Sequence, residues 1–571
     1  MNAYPSLRRW AAAVITALVV GLPVAYVMTR GESNVVEVTP ALAQGGKAGA
    51  GDWIMYGGSP ARNMVNTIAK GLPTTWDVDT KKNIKWFAEL GSKAYGGPIV
   101  AGGRVFIGTN NQTPRDKAWI KPLPVLDDKT LKPKLDKNGK QIIKLQPVDL
   151  GIVMAFEEAT GQFQWQAVHE KLPGGQVVDW PREGICSSAF VKGNRLYYVS
   201  NRCEVVCADV ATGKAAWKVD MIGQLGVFPH NIADGSPLIV GDQLYVVTSN
   251  GVNQDHITVP APKAPSFIRI KVAKDKGDVT WQDNSPTASL LVAPKGQLAQ
   301  KDFLKALVNS GKLIQHGQWA NPAYGVVNGQ KQVIFPGGDG WIYGFDADAR
   351  PGDAPIWKFD ANPKDSKYEL AGKGTRSDFI ATPVIYKNRV YIGVGQDPEH
   401  RTGVGHFYCI DMTKKGDISP DLVTDDSVFP PKTKANPNSG MVWHYGGAIT
   451  DPAVQRKLKR NYYFGRTMST AAIHEDIVYI TDLNGVLHVL DADKGTKHWE
   501  FDTRADIWSS PYYADGKVYL GTDDNVVYVF KHGKVLNKLA ENDMGARVRA
   551  TPVAANGVLY VMTENKLYAI K

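Results

Sequence analysis

The feature that most restricts this chain is an internal repeat running from about residue 97 to the C-terminus. Two copies show it plainly: Ser187–Trp217 (SSAFVKGNRLYYVSNRCEVVCADVATGKAAW) and Ser469–Trp499 (STAAIHEDIVYITDLNGVLHVLDADKGTKHW). Each opens on small residues, forms a short strand, turns at Gly or Asn, and continues into a second strand rich in Val and Tyr. A loop follows, then a third strand ending near Asp, a Thr-Gly-Lys-like turn, and Trp. Further copies begin near Gly97, Ser236, Asn321, Thr382, Ser510 and Thr551. Apolar residues alternate between turn residues, as antiparallel meanders require. One such unit cannot bury both faces alone, so neighbours must stack as the blades of a propeller do.

The last copy stops at Lys571, without a fourth strand or a Trp, while an unassigned strand, Ile84–Ala88, precedes the first copy. Pairing the two closes the ring and removes an open edge. The expectation is therefore an all-β, eight-bladed β-propeller of four-stranded antiparallel blades over residues 51–571. Trp86, Trp165, Trp217, Trp281, Trp357, Trp443 and Trp499 end successive repeats and read as rings wedged between blades. Long loops interrupt the first, third and fifth blades, and Ala299–Ser310 reads as a short amphipathic helix.

At the N-terminus, Arg8 and Arg9 precede the uncharged run Trp10–Met28. As a helix it would reach about 28 Å, close to the thickness of a bilayer's hydrocarbon. Residues 1–30 are expected to be one uncleaved membrane helix, with a cleaved signal as the alternative, and 31–50 a flexible tether. The two arginines would keep the N-terminus inside and place the propeller in the periplasm or an equivalent compartment. The net charge is +10, and residues 112–148 hold much of the excess, with eight lysines. Trp119 is the only aromatic among them, so the stretch reads as a solvated loop rather than a nucleic-acid surface. The four cysteines form no C-x-x-C-H, which argues against a c-type haem.

Repeat register places the lead-in to each innermost strand, and the loop between the second and third strands, on one face. That face gathers Arg182, Glu183, His230, Asn231, Asp234, His316, Gln318, Trp319, Arg376, Asp378, Arg466, Asp506, Trp508, Arg547 and Arg549 from the lead-ins. The inter-strand loops add Asn253, Asp255, His256, Asp339, Gln396, Asp397, Glu399, His400, Arg401 and His406. The opposite turns, such as Lys192-Gly193-Asn194, are plainer. A funnel of convergent polar groups is the default ligand site of such a fold. Cys186 and Cys203 fall on the same face of the second blade, where an oxidising compartment would allow a disulfide.

The stretch Ala208–Trp217 (ADVATGKAAW), its variants Phe156–Trp165 and Asp491–Trp499, and the opening phrase Trp53–Arg62 (WIMYGGSPAR) resemble the pyrroloquinoline-quinone (PQQ) repeat family. The resemblance spans roughly residues 51–571. Two branches of it differ in function: quinoprotein dehydrogenases, which hold PQQ and Ca²⁺ over the channel, and the non-catalytic outer-membrane β-barrel assembly lipoprotein. The chain lacks the adjacent Cys-Cys and the H-D-x-W-D phrase of the first, and its first cysteine, Cys186, stands far from where the second carries its lipobox.

The resemblance implies that Arg376, Arg466 and Arg547 would hold the PQQ carboxylates, with Trp319 or Trp508 as a stacking floor. Ca²⁺ would take Asp234, Asp339 or Asp378, and Asp234 or Asp378 would be the catalytic base. Alternatively, His230, His256, His316, His400 and His406 would bind a transition metal. Three functions follow: a monomeric propeller binding a small ligand or envelope protein on its polar face, a PQQ/Ca-dependent dehydrogenase with an unconventional site, or a non-catalytic scaffold in envelope assembly that binds peptides by strand addition or loop contacts.

Overall fold

The computed structural model describes residues 49–571 except 128–129, 131, 174–177, 255, 257–258, 289–315, 368–373 and 397–401. All of them belong to one compact unit, Val36–Lys571. Eight antiparallel sheets form the blades of a propeller, seven built on four successive strands of the meander and the eighth on its last three strands plus one from the N-terminal side. Their innermost strands are Ile99–Ala101, Phe190–Lys192, Leu238–Val240, Ala323–Val327, Val384–Tyr386, Ala472–His474, Tyr512–Ala514 and Val553–Ala555. The eighth blade closes as the sequence requires: Ile84–Glu89 lies antiparallel to Lys566–Ile570, with Phe87 opposite Tyr568.

The second blade shows why its strands are apolar on both sides. Leu196, Tyr198, Val206 and Ala208 pack into the same cluster as Phe106 and Trp165 of blade 1. Their neighbours in sequence, Tyr197, Val199, Val205 and Cys207, pack into the cluster that holds Leu238 and Tyr245 of blade 3. Period two therefore assigns alternate residues to alternate seams, and each fully buried side chain contributes about 2 kcal/mol.

The repeat motif has a physical explanation. Asp209 Oδ1 accepts from the backbone N–H of Ala211 and of Thr212. The turn then passes through Gly213 at φ +70, whose absent Cβ leaves room for the Trp165 ring of the preceding blade; a Cβ there would lie 2.4 Å from it. Trp165 Nε1 in turn donates to Val210 O at 3.1 Å. The same donation links Trp86 to Glu158, Trp217 to Ala273, Trp443 to Ala492 and Trp499 to Gly533. Asp, Gly and Trp are thus one joint between blades.

Residues 51–66 run around the axis and bond to the inner strands one after another. Gly51 O accepts from Asn556 N of blade 8, Trp53 pairs with Val100 of blade 1, and Ile54 O accepts from Val191 N of blade 2. Pro60 O accepts from Tyr324 N of blade 4, and Ala61 O accepts from Ile385 N of blade 5. Asn63 bonds both ways with Ile473 of blade 6, Met64 O accepts from Tyr513 N of blade 7, and Asn66 Nδ2 reaches Ala554 O. Blade 3 is tied by Arg62, whose Nη2 donates to Ser236 O and Pro237 O at 3.1 Å. Its Nε and Nη1 reach Pro322 O and Tyr56 O at 2.8 Å. Arg62 is fully buried, which lowers its pKa to about 9 and leaves it charged at pH 7. The segment is a floor across the channel.

Two loops differ from expectation. The Lys-rich stretch is exposed, but it folds into a hairpin of Ile120–Pro124 against Ile143–Pro147. The fifth blade's excursion places Gly416–Asp417 parallel to Trp357–Asp360, as an extra strand on blade 4. No helix among the described residues is long and apolar enough to cross a membrane. Trp10–Met28, most of the tether and Ala299–Ser310 lie outside the described residues, as do Asp255, Asp397, Glu399, His400 and Arg401.

Candidate functional site

Above the floor lies an axial cavity of about 230 Å³. Its wall follows from the repeat. The residue four places before each innermost strand faces it: Tyr95, Cys186, Asp234 and Trp319 from blades 1–4, and Ile380, Met468, Trp508 and Arg549 from blades 5–8. Two places further on, blades 2–8 carry a small polar residue, and several of these link neighbouring blades. Ser188 N donates to Ser236 Oγ, Ser236 N to Asn321 Oδ1 and Asn321 Nδ2 to Thr382 Oγ1. On the other side of the ring, Thr470 N donates to Ser510 Oγ and Ser510 N to Thr551 Oγ1. Tyr56 rises from the floor and bonds Thr470 Oγ1 at 2.8 Å.

The lining is aromatic and acidic. Trp180, Trp319, Trp508, Tyr56 and Tyr95 surround it together with Asp234 and Glu183. Glu183 is paired with Lys93. Asp234 Oδ1 has no hydrogen-bond partner among the described residues, and burial raises its pKa well above the usual carboxylate range. Arg549 is the only Lys or Arg among the described lining residues; Asp523 holds it through Nε at 2.9 Å and Nη2 at 2.6 Å. Its guanidinium lies 3.9 Å from the Trp508 ring centroid, and Tyr95 stacks on the same indole at 5.7 Å.

Beside this wall three histidines converge. His230 leads into blade 3, His256 lies between that blade's second and third strands, and His316 leads into blade 4. One ring nitrogen from each lies within 4.8 Å of the others. His230 stacks on Trp319 at 5.7 Å, and Trp319 Nε1 donates to Ile232 O. His316 Nδ1 is 3.2 Å from Asp378 Oδ2, with both groups buried.

The other expected site residues are placed differently. Arg376 binds Asp360 at 3.3 Å, Arg466 is buried with Nη2 on Gly374 O at 2.8 Å, and Arg547 is exposed; none lines the cavity. Trp508 lines the cavity, with Tyr95 stacked on its indole at 5.7 Å and the Arg549 guanidinium 3.9 Å from its ring centroid. Asp339 accepts from Trp341 N and Tyr343 Oη, and burial lifts its pKa to about 7. His406 pairs with His444 at 2.9 Å, apart from the three-histidine cluster, and burial lowers its pKa to about 3. The four cysteines are free. Cys186 lines the cavity, whereas Cys203 is buried with its Sγ on Thr248 O of blade 3, so the two thiols serve different surroundings.

These placements do not suit PQQ with Ca²⁺. Among the described lining residues the one Lys or Arg is Arg549, already held by Asp523, and Arg376, Arg466 and Arg547 do not line the cavity. The metal-type clusters of three among the described residues include none of Asp234, Asp339 and Asp378.

Sequence reasoning missed Tyr56, Tyr95 and Trp180, and it preferred Arg547 to Arg549. For Tyr95 and Arg549 a signal was present. Both precede a small residue, then Gly or Thr, then Pro, in register with Asp234, Trp319 and Trp508. Tyr56 carried no such signal, because it reaches the axis from outside the repeat.

A family model described as the outer membrane protein assembly factor BamB matches residues 149–333 and 436–571, more than half of the chain. The chain belongs to this family. Among solved structures, a europium-containing methanol dehydrogenase is 13% identical, with a TM-score of 0.53, covering 91% of this chain and 98% of that one. The quinohemoprotein alcohol dehydrogenase ADHIIG from Pseudomonas putida HK5 is 12% identical, with a TM-score of 0.53, over 93% of this chain and 81% of its own. BamB from Moraxella catarrhalis is 15% identical, with a TM-score of 0.42, over 79% and 97%. With the two dehydrogenases, at these identities, the shared property is the fold. No protein of curated function matches the chain in sequence.

Proposed function

We propose that this BamB-family propeller is an extracytoplasmic binding protein, tethered through Trp10–Met28, whose axial cavity takes a small organic cation with an apolar body. The observation that carries this reading is the lining: five aromatic rings, the half-buried Asp234, and a sole arginine neutralised by Asp523. Aromatic faces attract cations, most strongly where water is excluded, and Arg549 already rests on Trp508 in this way. A ligand amine would supply the hydrogen-bond donor that Asp234 Oδ1 lacks among the described residues, and a quaternary ammonium would supply a counter-charge without one.

Tryptophan fluorescence titration with choline, against PQQ as an anionic control, tests the reading. Choline is expected to quench saturably in the wild type and not in Asp234→Asn. Stoichiometric uptake of PQQ, or PQQ released by acid denaturation of protein purified from native membranes, would overturn it and restore the dehydrogenase reading. The family match favours a second reading, a protein partner in envelope assembly. It takes precedence if neither compound binds and crosslinking in membranes captures a specific envelope protein.

A further inference from the structure

The geometry points to a transition-metal site at His230, His256 and His316, behind the cavity wall and independent of the cavity's ligand. Three imidazoles, each with a ring nitrogen within 4.8 Å of the others, suit a first-row ion of the Zn²⁺, Co²⁺ or Cu²⁺ class. The surroundings of the rings carry the assignment. His230 Nδ1 lies 2.8 Å from Val252 O, and His256 Nδ1 lies 3.1 Å from Gln254 O. A carbonyl oxygen only accepts, so both rings bear their proton on Nδ1 and carry the lone pair on Nε2; at His230 that lone pair accepts from Asn231 Nδ2 at 3.3 Å, a contact that the metal would displace. His316 Nδ1 lies 3.2 Å from Asp378 Oδ2, so a carboxylate stands beside the third ring as well. Oxygen acceptors that orient imidazoles through the nitrogen away from the metal are the usual outer support of histidine-bound ions.

The backbone holds the three rings from separate loops. His230 N donates to Ser249 O and His316 N to Gly338 O. His256 sits at φ +55, a left-handed conformation disfavoured for a side chain with a Cβ and found where a site over-determines the backbone. Gly317 lets the loops close, since a Cβ there would lie 3.1 Å from His230 Cβ and 2.7 Å from Trp319 Nε1. With metal–nitrogen bonds of about 2.05 Å, a tetrahedral ion separates its ligand nitrogens by roughly 3.3 Å. The observed limit of 4.8 Å therefore closes by small side-chain rotations. Asp378 then acts as a positioning residue for His316 rather than as a base.

The described residues contain one other cluster of this kind, His474, Glu475 and His532, between blades 6 and 7. It supplies the control. Metal-free full-length protein is titrated with Co²⁺ and followed by visible absorption, then challenged with Zn²⁺. The expected result is one Co²⁺ per chain with the d–d bands of low coordination, displaced by Zn²⁺. His256→Gln should weaken binding by at least ~100-fold, and Asp378→Asn by ~10–100-fold. His474→Ala should leave the spectrum unchanged. His256 is half-exposed on a loop, so its variant should unfold at the wild-type temperature even if His230 or His316 variants do not fold. Absence of Co²⁺ binding, a spectrum that survives His256→Gln, or one abolished by His474→Ala would each overturn the assignment.

Discussion

The two ends of the axial channel are built on opposite terms. At the closed end, residues 51–66 bond the blades through backbone groups and the side chains of Asn63 and Asn66, and the buried Arg62 donates to four carbonyls. At the open end, side chains from many loops meet in polar and aromatic contacts, and Asp234 keeps an oxygen without a partner among the described residues. The difference shows how a ring of weakly sequence-coupled blades can carry a costly site. One end is tied to every blade, so the other can hold groups that do not favour folding.

The sharpest way to break this comparison is Arg62→Met. It leaves four buried carbonyls without a donor, so a loss of about 4 kcal/mol or more in urea unfolding is expected. A loss below 1 kcal/mol would mean the floor is not the tie. Gly58→Ala should cost about 2–3 kcal/mol, because Gly58 has φ +66 and a Cβ would lie 2.3 Å from the Trp53 ring.

At the open end, pH separates the terms. His406 is buried, with a folded pKa of about 3 against 6.5 in the unfolded chain, so the unfolded state binds more protons as pH falls. Its site loses stability below pH 6.5 by ~1.4 kcal/mol per unit. His406→Asn should be less stable than wild type at pH 7.5, and the gap should narrow by about 2 kcal/mol at pH 5. An unchanged gap would show that the ring is not held neutral. Asp234 has the opposite sign. Its raised pKa means the folded state keeps a proton that the unfolded state releases, so stability falls as pH rises. Asp234→Asn should therefore gain roughly 1 kcal/mol over wild type at pH 8 and nothing at pH 3, even as it abolishes binding of the cation.

What the sequence determined by itself was whatever repeats. Strand alternation, the Asp-Gly-Trp joint, the count of eight and closure by the strand at Ile84 are local patterns copied along the chain, and stacking admits one ring for them. The polar face was legible for the same reason, since register sets the end of the blade on which a loop lies. Radial position and partners were not legible. Arg376, Arg466 and Arg547 share a face with Asp234, yet the first two bind Asp360 and Gly374 O and the third lies exposed to solvent. His230, His256 and His316 converge while His406 pairs with His444, because loops of unequal length from different blades meet only after the ring has closed. Tertiary structure decided these contacts: no spacing in the sequence encodes a distance across the axis.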